Sequence, residues 1–192
     1  MIIGLTGTFA AGKDTVAEYL GEKGFEHYSC GDQIREIAAE RGLEPTRDVL
    51  RELGNELRDT KGSEFLARRI IEQKAKTDKV AISGIRQPGE IKYLRGLGKF
   101  YLIAVDAPVE IRFERMSERS REGDPKTLEE MVDKERQEME SASPNAQKIH
   151  ECMELADALV INDGNREQLD RKVDEVLKKF EEGESGEGKD KA

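Results

Sequence analysis

An α/β fold, with a parallel sheet carrying helices on both faces, is what this sequence predicts, and three observations predict it. Apolar runs of strand length alternate with amphipathic stretches of helix length along nearly all of the chain. That alternation implies βαβ units and right-handed crossovers. The run from Phe100 to Val105 is continuously apolar, as in a strand buried on both faces. The first apolar run, Ile2, Ile3 and Leu5, leads straight into Gly7-Thr8-Phe9-Ala10-Ala11-Gly12-Lys13-Asp14-Thr15, a glycine-rich turn that opens a helix.

That turn fits the phosphate-binding pattern G-x-x-x-x-G-K-[ST] at every fixed position but the last, where Asp14 stands and Thr15 follows. Glycines let successive backbone N–H groups curl around a polyphosphate with no side chain in the way. The following helix adds the positive end of its dipole. Lys13 is the cation that reaches the outer phosphates. Gly7, Thr8, Ala10, Ala11, Gly12, Lys13, Asp14 and Thr15 are therefore the expected ATP-phosphate cradle.

The remaining elements follow in order. A first helix runs from Asp14 to Gly24 with Val16, Ala17 and Leu20 on one face, and a glycine ends it. Phe25–Ser29 reads as a strand. Ile34, Ile37 and Ala38 make Gly31–Glu40 a helix. Thr46 caps a helix carrying Val49, Leu50, Leu53 and Leu57. Gly62 interrupts, and Phe65, Leu66, Ile70 and Ile71 mark another helix. Lys79–Ser83 is a strand, followed by a turn at Gly84–Gly89 and a helix through Leu97. After Phe100–Val105, a helix spans Pro108–Glu118. Ser120–Lys126 is polar and rich in helix breakers, hence a loop. Charged helices span Thr127–Ala156, Ala158–Ile161 is the last strand, and Arg166–Phe180 the last helix. From Glu181 onward only Ala192 is apolar, and residues 182–192 read as a disordered tail behind a single domain at 1–181.

Composition excludes several functions. With 192 residues the chain makes one domain with a substantial core. Charged residues are 38% and aromatics 5%, and the net charge of −9 argues against nucleic-acid or anionic-membrane partners. Cys30 and Cys152 are too far apart in sequence to suggest a disulfide framework or a metal site. Neither a secretory leader nor a membrane span is read, so a cytoplasmic protein is expected.

Ligands of such sheets sit at the carboxyl ends of the strands. Gly7–Thr15, Ser29–Arg35, Ser83–Arg86, Asp106 and Asn162–Asn165 all follow predicted strands and should line one rim. In Ser29-Cys30-Gly31-Asp32-Gln33-Ile34-Arg35, Arg35 lies one turn into a helix and can present its fork to a phosphate. Taken alone, Asp32 and Arg35 fit a helix cap and a solvated face better, because cap-like residues are common. Ser83-Gly84-Ile85-Arg86 places a second arginine at a strand end. Arg112, Arg115 and Arg119 share one helix face, with Arg121 beyond. They suit closure over a transferring phosphoryl group, or simple pairing with Glu110, Glu114 and Glu118. His27 and His150 show no partner pattern.

With these residues placed, the chain resembles the nucleoside monophosphate kinase group of P-loop proteins over roughly residues 1–180. Ser29–Arg35 is similar to the S-T-G-D-x-x-R segment of adenylate kinases. Ser83–Arg86 is similar to their D-G-(F)-P-R segment, and Glu114, Arg115 and Arg119 resemble the E-R-x-x-x-R that opens their lid. Ala156-Asp157-Ala158-Leu159-Val160-Ile161-Asn162-Asp163-Gly164 resembles the ending of dephospho-CoA kinases, as does Gly4-Leu5-Thr6-Gly7. Two positions depart from the pattern. Asp14 replaces the Mg²⁺-binding Ser/Thr, as in phosphomevalonate kinase and phage deoxynucleotide kinase loops, and Ser83 replaces the usual acid before Gly84.

The resemblance implies a P-loop NTPase fold with a five-stranded sheet ordered 2-3-1-4-5, acceptor-binding helices at about 30–77 and a lid at about 115–130. It implies ATP-dependent phosphorylation of a small phosphorylated acceptor, a nucleoside or deoxynucleoside monophosphate. Lys13, Arg115 and Arg119 would be catalytic. Asp32, Arg35 and Arg86 would hold the acceptor. Asp14 or Thr15, with Ser83, would organise Mg²⁺. Asn162 to Asn165, by their place after the last strand, are candidates for the donor base. Dephospho-CoA kinase is the alternative acceptor class. A slow nucleotide-dependent switch is the alternative outside transferases, weakened by the acceptor-type arginines and the absence of a guanine-reading N-K-x-D.

Overall fold

β1 (Ile2–Gly7) is the central strand of a five-stranded parallel sheet ordered β2-β3-β1-β4-β5. Its neighbours are β3 (Val80–Ser83) and β4 (Phe100–Asp106), and β2 (Glu26–Ser29) and β5 (Ala158–Ile161) form the edges. The order is the expected one. The computed structural model describes residues 1–119, 124–140 and 148–187. Arg121 and residues 188–192 lie outside them.

The register sets the rim. Leu5 pairs with Ser83 and with Ile103, Gly7 with Val105, Ser29 with Ser83 and Asp106 with Ile161. The strand ends that carry the motifs therefore finish side by side.

Period-two alternation divides the core. Leu5, Ile103 and Val105 face α1 (Lys13–Glu22) and α9 (Arg166–Glu187), packing with Val16, Leu20, Leu169, Val173 and Phe180. Ile82, Phe100 and Leu102 belong to the opposite cluster, under α2 (Cys30–Glu40), α3 (Arg47–Lys61), α4 (Phe65–Gln73) and α5 (Pro88–Gly96). Ile37, Leu57, Leu66, Ile70 and Leu94 fill that side. β1 and β4 are buried on both faces, which explains the unbroken apolar run of β4. α6 (Val109–Arg119), α7 (Leu128–Glu140) and α8 (Ile149–Glu154) complete the described helices.

Local chemistry fixes the helix starts. Ser29 Oγ accepts from the backbone N–H groups of Gly31 and Asp32, so Ser29, not Asp32, caps α2. Thr46 caps α3 through the N–H of Val49, as expected. Gln87 and Glu90 form a reciprocal capping box on α5. α9 runs to Glu187, so residues 182–187, read as the start of a tail, continue the helix. Glutamate is a good helix former, and absence of apolar residues does not stop a helix already nucleated and docked.

Candidate active site

The loop between β1 and α1 is shaped by its backbone. Gly7 has φ +137°, and a Cβ there would lie 1.9 Å from the Val105 carbonyl oxygen. Gly12, at φ +96°, is the left-handed residue before α1, and a Cβ there would lie 2.3 Å from Asn162 Nδ2. Ala10 adopts φ +58°, a conformation L residues rarely hold outside functional turns.

Lys13 Nζ turns into this loop and donates to the carbonyls of Gly7 at 3.0 Å and Thr8 at 2.5 Å. Burial pushes its pKa down to about 7. Arg86, Arg112 and Arg119 act in the same direction and Asp14 opposes them. A protein of net charge −9 thus gathers four cationic side chains at one end of its sheet.

The β4–β5 side clamps the loop. Thr8 Oγ1 donates to Asp106 Oδ1 at 2.5 Å, and Asp106 also accepts from the Ala107 N–H. Asn162 is buried and donates through Nδ2 to the Ala11 carbonyl at 2.9 Å, while its Oδ1 accepts from Arg115 Nη2 at 3.2 Å. Both ends of the Asn162 amide are thus committed to protein, with Nδ2 on the Ala11 carbonyl of the loop. Arg112, also buried, donates to the carbonyls of Ala107 and Phe9 and forms a two-pronged pair with Glu135 of α7. Arg119 pairs with Asp124. All three arginines of α6 reach off their own helix, so pairing with Glu110, Glu114 and Glu118 does not account for them. Arg115 Nη1 is buried without a hydrogen-bond partner.

The β2–β3 side is looser. Arg35 Nη1 donates to Asp32 Oδ1 at 2.7 Å, with both side chains more than half exposed. Gly84 lies against the start of α2, its Cβ position 3.8 Å from Gly31 N, so the Ser29–Arg35 and Ser83–Arg86 segments are neighbours as expected. Ser83 is buried, and its Oγ is 2.8 Å from His27 Nε2. This corrects the reading of His27 as a residue without a partner. Burial lowers the His27 pKa, opposed by Asp14, Asp32 and Glu18. Glu90 is buried, accepts from the Arg86 and Gln87 N–H groups through Oε2, and leaves Oε1 without a partner. Burial raises its pKa, and Arg58 of α3, itself buried with Nε unpartnered, opposes that shift.

Sequence reasoning passed over Arg58, Glu90 and the His27–Ser83 pair. The E at the third position after Gln87 signalled the capping box. His27 stands two residues before Ser29, which pairs with Ser83, and that register was the signal for the pair. Nothing in the sequence marked Arg58.

Metal chemistry is open to the site. Among the described residues, no group of three His, Cys, Asp or Glu side chains forms a metal cage. Mg²⁺ in phosphate sites needs only one or two protein oxygens beside substrate and water, and the exposed Asp14 carboxylate with the Thr15 and Ser83 hydroxyls supplies hard oxygen donors of that kind. No helix among the described residues is long and apolar enough to cross a membrane.

Comparison with known proteins places this architecture. A family model described as an AAA domain matches residues 3–140. A UPF0200/UPF0201 protein of Archaeoglobus fulgidus is 35% identical over 185 residues, which cover 93% of this chain and 55% of that protein. The chain thus spans about half the length of that relative. A UPF0200 protein of Thermococcus gammatolerans is 31% identical over 192 residues, covering 95% of this chain and 97% of its own. Among solved structures, a shikimate kinase of Aquifex aeolicus superposes with a TM-score of 0.56 at 18% identity, over 95% of this chain and 99% of that one, a likeness of fold. The chain belongs to the UPF0200 family, built on an AAA-type domain with the fold of P-loop kinases.

Proposed function

We propose that the protein is an ATP-dependent phosphotransferase whose acceptor is a small phosphorylated molecule, a nucleoside or deoxynucleoside monophosphate. The observation that carries this is the convergence on Lys13. Its ammonium lies inside the loop against two carbonyls, with Arg86, Arg112 and Arg119 near enough to depress its pKa. A site that assembles cations at this cost is built for polyanions. A switch protein needs a donor cradle alone. Arg35 and Arg86, on neighbouring strand-end turns beside the loop, supply a second phosphate subsite.

In this reading the loop amides from Gly7 to Thr15 hold the donor phosphates, and Lys13 exchanges its carbonyl partners for phosphate oxygens. The buried, unpartnered Nη1 of Arg115 suits a donor-phosphate oxygen. Asp32 releases Arg35 when the acceptor phosphate arrives, at small cost because an exposed pair contributes only about 0–1 kcal/mol. Asp14 or Thr15, with Ser83, would hold Mg²⁺, which neutralises charge on the transferring phosphates. Positioning and electrostatics carry such a transfer, without a covalent intermediate.

The segment resembling dephospho-CoA kinases finds a different use. Asp157 accepts from the Leu102 N–H and from Arg95, and Asn162 holds Ala11. These contacts support the sheet and the loop whatever the acceptor, so they do not favour a second reading.

ADP release, screened over ribonucleoside and deoxyribonucleoside monophosphates, dephospho-CoA and shikimate, tests the proposal. Turnover with a monophosphate and none with shikimate is expected. Turnover confined to shikimate, or to water, would overturn it.

A further inference from the structure

Phe9 stands at the tip of the phosphate loop, its carbonyl held by Arg112. Two guanidinium groups lie over its ring: Arg47 Cζ is 4.8 Å from the centroid and Arg119 Cζ 4.9 Å. Such contacts contribute about 0.5–1 kcal/mol when exposed and more when desolvated. Arg47 is the first residue of α3, fixed there by the Thr46 cap, and Arg119 is the last residue of α6. Between them sits one carboxylate. Asp124 Oδ2 is 3.1 Å from Arg119 Nε, and Oδ1 is 3.3 Å from Arg119 Nη2 and 3.9 Å from Arg47 Nη1. Its side chain is only 11% exposed.

An anion nearly nine-tenths buried, held by two arginines over a phosphate loop, has the surroundings a phosphoryl group would need. Arg119 also lies close enough to Lys13 to act on its charge. We propose that Arg47 is a further phosphate-binding residue, gathered with Arg119 over the loop by Phe9, and that Asp124 occupies the phosphoryl position until substrate enters. This rests on the phosphotransferase reading. A phosphate brings about −1.5 to −2 charges and three acceptor oxygens against the single charge of a carboxylate, so it can displace Asp124 from both arginines.

Titration of the full chain with inorganic tripolyphosphate, followed by calorimetry, tests this. Asp124→Asn keeps the shape and removes the competing charge, so it should tighten the Kd about three- to tenfold. Asp124→Glu should stay near wild type. Arg47→Ala should weaken binding about tenfold, and more in the Asp124→Asn background, where the Asp124 charge no longer competes for Arg47. Unchanged or weaker binding by a folded Asp124→Asn protein overturns the placeholder. Wild-type affinity in Arg47→Ala overturns the phosphate role, and it decides alone if Asp124→Asn melts. Tripolyphosphate binding that follows this pattern without ADP release in the acceptor screen would leave the inference standing and remove the phosphotransferase reading. A wild-type protein that binds no tripolyphosphate removes both.

Discussion

The two flanks of the phosphate loop differ in how their polar groups are spent. Towards β4, β5 and α6 most are committed to protein: Thr8 to Asp106, Asn162 to Ala11, Arg112 to Glu135, with Arg115 Nη1 the unpartnered exception. Towards α2, α3 and the start of α5, charged groups are exposed, as in Asp32–Arg35, or buried with an atom unsatisfied, as in Arg58 and Glu90. A buried polar group without a partner costs about 1–3 kcal/mol. The difference teaches that one flank is preorganised and the other is completed by what it binds. A kinase needs that asymmetry, because the donor cradle must be rigid while the acceptor side must admit and then grip a second molecule.

The largest test addresses the residue at the junction of the flanks. Lys13→Ala should lower transfer by at least about 10²–10³-fold, since removing one preorganised electrostatic stabiliser typically does. The melting temperature should not fall, because the lysine is held in a site that disfavours its charge. Near wild-type turnover in a verified pure sample would remove the loop from the chemistry.

Substitutions on the acceptor flank come next. Arg86→Ala and Arg35→Ala should each raise the acceptor KM about ten- to a hundredfold, the worth of a charge-assisted contact of about 1.5–3 kcal/mol. ATP affinity should hardly move in Arg35→Ala, and should not fall in Arg86→Ala, which relieves the repulsion on Lys13. Steady-state titration with each substrate separately decides it, and a fall in ATP affinity alone would reverse the assignment of the two flanks.

The rigid flank was the more legible in sequence as a fold and the less legible as a site. The rim and the loop followed from the alternation of apolar runs and from one motif, because backbone geometry there is dictated locally by glycine and helix start, whereas the strand order came from the resemblance to the kinase families. The roles of Asn162 and Arg112 depend on which buried carbonyl or carboxylate lies opposite, and that is fixed by tertiary packing. The hydrogen bond from Asn162 to the Ala11 carbonyl was therefore not foreseen. On the acceptor flank the arginines were visible because they stand beside strand ends, whereas Arg58, in the last turn of α3, reads as surface charge until α3 is docked. The end of α9 was set short because composition reports burial better than helicity.

Asn162→Ala sharpens the same point at smaller scale. It strands the Ala11 carbonyl and one Arg115 N–H, so it should weaken ATP binding about five- to tenfold while leaving the acceptor KM unchanged. Equal effects on both substrates would show that the loop and the acceptor flank move together.

The smallest expected effect is a pH dependence, and its sign follows from Lys13. The free protein holds this lysine at a pKa of about 7, lowered mainly by burial and then by Arg86. Donor phosphates bring negative charge to Nζ and raise that value again. Between pH 7 and 8 the free lysine loses its proton and the bound one keeps it, so binding takes up a proton and weakens as pH rises. If only the charged form binds, affinity falls about fivefold over that unit. The change should be absent in Lys13→Arg, whose guanidinium stays charged throughout. Calorimetry of ATP binding at pH 8 in two buffers of different ionisation enthalpy measures the proton directly. Uptake approaching one proton is expected. Zero uptake, or binding that strengthens with pH in the wild type alone, would mean that Lys13 is already charged in the empty loop and that its carbonyl partners, not substrate, neutralise it.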